Sequence, residues 1–180
     1  MHWILLLGVL GGDEIGPVER EDIDRMIGVR VAPIYTTFDG GLLIDSSAPG
    51  IAFDLRGEFN LHNPTRVFAG IGFMGWQSED DATGDTVDIA EYRFTAGVEL
   101  DFRTIDLGLA ASTGTMHFHR PGESSNDVMF EFEMSLGYKP SPFLRLSVVG
   151  FGTHVYSDFN YKNHHLQHIY SVGFGAEFRF

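Results

Sequence analysis

The sequence predicts an all-β fold, a single eight-stranded antiparallel up-and-down transmembrane β-barrel. Three observations predict it. From Ile27 onward the apolar residues recur with a period of two rather than 3.6. The alternation falls into eight segments, most of them reaching the roughly 9–11 residues that cross a bilayer at a tilt. The connections between segments alternate between tight and long.

The last segment shows the period most clearly. Tyr170, Val172, Phe174, Ala176, Phe178 and Phe180 share one face, while Ser171, Gly173, Gly175, Glu177 and Arg179 share the other. The same split runs through residues 51–61, where Ile51, Phe53, Leu55, Phe59 and Leu61 alternate with Ala52, Asp54, Arg56, Glu58 and Asn60. It recurs in residues 90–102 and 130–138. The eight segments cover about 27–38, 50–61, 66–77, 87–103, 105–118, 127–138, 143–156 and 167–180. Pro33 lies inside the first, and a bulge is expected there because proline has no N–H for the ladder.

Three connections are tight: residues 62–65, Arg103-Thr104, and Lys139-Pro140-Ser141-Pro142. Four are long and polar or flexible, at about 39–49, 78–86, 119–126 and 157–166. Short turns at one end and long loops at the other are the arrangement of a membrane barrel whose termini lie on the short-turn side.

A soluble lipocalin-like barrel also has eight alternating strands, with the aromatic face inward. Three features favour the opposite sense. The polar face is rich in small residues, Gly70, Gly72, Gly108, Ala110, Ser112 and Gly114, which suit a narrow lumen. Its charges are Arg, Asp and Glu rather than mobile Lys, which occurs only at positions 139 and 162. Aromatics gather near the strand ends: Phe59, Phe102, Tyr138, Phe143, Phe178 and Phe180 by the short turns, and Tyr35, Tyr92, Tyr156 and Tyr170 nearer the long loops. Two such girdles mark the two interfaces of a membrane.

From Ile27 to Phe180 the chain resembles the small eight-stranded outer-membrane proteins of the broad OmpA/OmpX/OmpW-like class. The terminal stretch Ser171-Val-Gly-Phe-Gly-Ala-Glu-Phe-Arg-Phe180 carries the resemblance furthest. A last strand of alternating apolar residues ending in Phe is similar to the signal read by the barrel-assembly machinery. The resemblance implies a bacterial, Gram-negative outer-membrane location with both termini periplasmic, assembly through Phe178 and Phe180, and lipopolysaccharide as a neighbour. It does not choose among the functions of the class, which include porin-like ones.

Composition excludes other classes. The formal net charge of -13 argues against nucleic acid as a partner. The absence of cysteine removes disulfides, thiol nucleophiles and a lipoprotein anchor. Residues 1–12 read as a signal-peptide remnant, with an apolar core from Trp3 to Leu10 and small residues at Gly11 and Gly12. Residues 13–26 read as an acidic periplasmic lead-in, and 27–180 as the barrel.

Four constellations have chemical content. On the inward face, Arg30, Arg56, Arg93, Arg145 and Arg179 fall among Asp54, Glu58, Glu91, Glu99, Asp101, Glu131, Glu133 and Glu177. Charges in a narrow lumen have to pair or meet water. This network is expected to pin the interior; a gated pore or a proton-linked path is the alternative. His117, His119, His154 and His168 fall at the long-loop end with lipid-facing parity. They are expected to contact lipid and lipopolysaccharide at the outer rim, with a metal site as the alternative. His154-Val-Tyr-Ser157 is faintly similar to the His-x-Ser pattern of outer-membrane lipid A deacylases, but its spacing puts Ser157 on the opposite face. The acidic loop Ser78–Asp85 lacks the ordered ligand spacing of a calcium loop and reads as solvated surface.

The expectation is therefore an outer-membrane barrel, non-enzymatic, without cofactor or resident metal, that supports the membrane and displays loops to an unidentified surface ligand. A narrow small-solute pore is the first alternative and a lipid A-modifying enzyme the second.

Overall fold

The structure is a computed structural model that describes residues 25–39, 48–79, 84–102, 104–157 and 165–180. The expected signal peptide, nearly all of the lead-in, and most of the loops around 39–49, 78–86 and 157–166 lie outside the described residues.

Eight strands follow one another: β1 (Arg25–Asp39), β2 (Ala48–His62), β3 (Thr65–Glu79), β4 (Thr86–Phe102), β5 (Ile105–Arg120), β6 (Glu123–Ser141), β7 (Leu144–Ser157) and β8 (His165–Arg179). Each pairs antiparallel with its sequence neighbour, and β1 pairs with β8, so the sheet closes with no free edge. The seam is tied at its end by two main-chain bonds, Ile27 N–H to Phe180 O at 3.1 Å and Phe180 N–H to Ile27 O at 2.9 Å. Closure satisfies the strands' backbone groups within the sheet, as a strand in hydrocarbon requires.

Three local expectations are corrected. Pro33 causes no bulge. It faces outward, stays in register with Ile51 of β2, and the β1–β8 register is the same on either side of it. The ladder to β8 passes from Val31↔Ala176 to Ile34↔Gly173, so the proline interrupts pairing without shifting it. The long loop at 119–126 is in fact a tight hairpin. β5 and β6 pair as far as Arg120↔Glu123, and Pro121-Gly122 makes the turn with Gly122 at φ 86°. A Pro-Gly pair suits a turn with positive φ at its second position. Nearer the other end, the turn after β6 is Pro142-Phe143, so Lys139 belongs to the strand rather than to the turn.

Parity decides what points where. The outward face carries the large apolar side chains, among them Phe94, Phe130, Phe132, Met134 and Phe174, each at least 59% exposed. An apolar belt this extensive exceeds what a water-soluble monomer shows and fits lipid as its solvent. The lipocalin-like sense is thereby excluded, since it would bury these rings. Among the described residues no helix is long and apolar enough to cross a membrane, which is no constraint on strands.

Candidate functional site

The interior is built in layers, taken from the short-turn end upward. The lowest layer contains Arg66, Lys139, Arg145 and Arg179 with Glu58, Glu99, Asp101, Asp106 and Glu177. Arg145 reaches Asp106 at 2.5 Å and Glu177 at 3.3 Å. Arg179 donates to both oxygens of Glu99 at 3.0 and 3.1 Å and to Glu177 at 3.0 Å. Lys139 pairs with Asp101, and Arg66 meets Asp101 at 3.2 Å.

A second layer sits above it. Arg30 pairs with Asp54 and Glu133, Arg56 with Glu133, and Arg93 with Asp54, Glu91 and Glu131. The Thr153 hydroxyl donates to Glu131 at 3.0 Å. Arg56 lies 4.6 Å from the centroid of the Phe68 ring, and Arg93 4.7 Å from that of Phe151. Aromatic faces thus occupy sides of the guanidinium groups that carboxylates leave open. Closely placed glycines make room. A Cβ on Gly72 would collide with Asp54 and Arg93, and one on Gly137 with Asp106 and Arg145.

The top layer is mainly apolar, with Thr36, Ser78 and Asp127 buried among its apolar side chains. Met74, Trp76, Val87, Ile89, Met116, Phe118, Met129, Val155 and Ile169 are all buried there. The structure therefore places every residue of the predicted lumen set inside the barrel and divides them between the two charged layers. Sequence reasoning misses Arg66, Lys139 and Asp106 as members, and misses the apolar layer entirely. The signal for that layer is present: at Met116-His117-Phe118 and at Val155 the inward positions are apolar, unlike the charged inward positions Asp106 and Arg145 lower on the same strands.

At the outer rim, His117, His119, His154 and His168 lie on the outward parity of β5, β7 and β8. His117 and His119 stack with centroids 6.2 Å apart, and the His117 ring nitrogen Nδ1 lies 2.9 Å from Asn126 Oδ1. His154 and His168 are register partners, with their Nδ1 atoms 2.6 Å apart. The β7–β8 register is constant from Leu144 to Ser157, so no bulge intervenes between His154 and Ser157. Among the described residues no group of three or more His, Cys, Asp or Glu side chains is arranged to hold a metal ion.

A closed antiparallel barrel of eight strands with this outer belt has known counterparts. The fold is that of the small eight-stranded outer-membrane β-barrels. The chain is similar to Neisserial surface protein A, with TM-score 0.57 and 13% identity over 87% of this chain and 97% of that one. It is similar to Ail, the attachment invasion locus protein of Yersinia pestis, with TM-score 0.51 and 20% identity over 87% and 97%. It is also similar to a major outer membrane protein from Thermus thermophilus, with TM-score 0.54 and 10% identity over 87% and 99%. No protein-family model and no curated protein matches the sequence. At these identities the likeness extends to the fold alone.

Proposed function

We propose that this chain is a Gram-negative outer-membrane barrel that anchors and displays, rather than one that transports or catalyses. The packed interior carries this reading. Arg30, Arg145, Arg179, Phe118, Met74, Met116, Met129, Ile169 and Glu91 are each less than 2% exposed, and they come from all three layers. Two ionic layers and an apolar one leave an ion no continuous wet path, because each layer would have to open in turn. On this reading the termini are periplasmic and the connections opposite them face outward. The assembly machinery engages Phe178 and Phe180, and His117, His119, His154 and His168 border lipopolysaccharide.

The enzymatic alternative needs a base within roughly 2.6–3.2 Å of its nucleophile. His154 instead contacts His168. Conductance in planar bilayers tests the proposal. The purified barrel should conduct weakly or not at all, and sustained unitary conductance altered by Arg93→Ala would establish the narrow pore instead.

A further inference from the structure

The outer rim contains a contact that lipid anchoring does not need. β7 and β8 bring His154 and His168 directly opposite each other on the outward face. Their rings meet edge to face, with centroids 4.7 Å apart and planes at 89°. The two Nδ1 atoms approach to 2.6 Å. Two neutral imidazoles make such a contact by sharing one proton, an N–H on one ring facing the lone pair of the other. When the donor ring takes its other tautomer, with its proton on Nε2, both Nδ1 lone pairs are open to one cation.

We propose that His154 and His168 form a cross-strand half-site for a divalent transition cation of the Cu²⁺, Ni²⁺ and Zn²⁺ class, with water completing the coordination. Imidazole nitrogen suits these ions, whereas magnesium and calcium take oxygen ligands. Metal–nitrogen bonds of roughly 2.0–2.1 Å set the nitrogens roughly 2.9 Å apart at the right angle of tetragonal Cu²⁺ or Ni²⁺ and roughly 3.3 Å apart at the tetrahedral angle of Zn²⁺, so the rings have to part by ~0.3–0.7 Å and turn toward the ion. The closed sheet holds both backbones in place, which lowers the ordering cost of binding. Gly152, the next outward residue on β7, puts no side chain beside the pair; the nearest neighbour a Cβ there would meet is the Tyr170 ring at 3.9 Å.

The other histidine pair serves as an internal control. His117 and His119 lie on one strand, stack at an interplanar angle of 10°, and have His117 engaged with Asn126. Their nitrogens have no shared focus.

The test is titration of the full chain, folded in detergent, with Cu²⁺ while the histidine ring signals are followed by NMR. Paramagnetic broadening should strike His154 and His168 together at substoichiometric Cu²⁺ and spare His117 and His119. In His154→Gln, the Cu²⁺ needed to broaden His168 should rise at least tenfold; if that variant does not fold, His168→Gln gives the reciprocal reading on His154. Unchanged sensitivity of the remaining histidine would overturn the site. So would broadening of His117 and His119 at the same Cu²⁺ level as the pair.

Discussion

Arg30 and Glu133 sit 103 residues apart in sequence, on strands that are not neighbours in the sheet, and close on each other across the interior. The Arg30 guanidinium donates to both Glu133 oxygens, at 2.5 and 2.8 Å, and neither side chain is more than 2% exposed. A planar fork on a carboxylate fixes distance and orientation together. This pair therefore braces opposite walls of the barrel from within.

Removing one partner should be costly. Both Arg30 and Arg56 grip Glu133, and Arg30→Ala leaves Arg56 to hold it in a buried layer. Breaking a buried pair costs about 3–5 kcal/mol, whereas an exposed pair is worth about 0–1 kcal/mol. In urea unfolding from lipid vesicles, Arg30→Ala should lower the midpoint strongly. Arg120→Ala, which removes the more accessible pair with Glu123, should barely move it. Equal effects would show that the interior pair does not brace the wall.

The apolar layer makes a separate prediction. Phe118 is fully buried in it, and truncating a buried Phe to Ala costs about 3–5 kcal/mol through lost transfer energy and the cavity left behind. Phe118→Ala should lower stability by that order in the same assay without creating conductance, since both ionic layers remain beneath it. Conductance in this variant would mean that the apolar layer alone closes the barrel.

Much of this is legible in the sequence because a strand in lipid must alternate. The parity of Tyr170 to Phe180 gives an outward and an inward face, and the buried charges follow from that parity alone. The β5–β6 hairpin is hidden for the complementary reason. Near Ser124, Ser125 and Asn126 the strands carry polar residues on both faces, so the period of two vanishes although the ladder continues. Lys139 reads as turn because Pro140 and Pro142 follow it so closely, yet the strand runs on to Ser141 across a register shift. The pairing of Arg30 with Glu133, or of His154 with His168, depends on closure of the whole sheet and on register, which no local pattern encodes.

Phe180 contributes more than an apolar terminal ring. Its main chain makes two of the bonds that close β1 against the C-terminal end. Deleting it should slow formation of the folded, heat-modifiable species in cells and leave more chain open to periplasmic proteases. Replacing Phe180 by Ser keeps the backbone bonds and should have a smaller effect in vitro. An unchanged yield of folded barrel in the deletion would show that neither the seam bonds nor the terminal ring assists assembly.

The orientation of the apolar face underlies every one of these expectations, and the chain's lack of cysteine makes it directly measurable. Phe132 is 62% exposed on the outward face of β6, while Asn63 lies in the short turn after β2. A spin label at Phe132→Cys in the vesicle-embedded protein should collide readily with oxygen and scarcely with a water-soluble nickel chelate. The same label at Asn63→Cys should show the reverse. A Phe132 label as accessible to the nickel chelate as the label at Asn63 would contradict a barrel whose apolar face meets lipid.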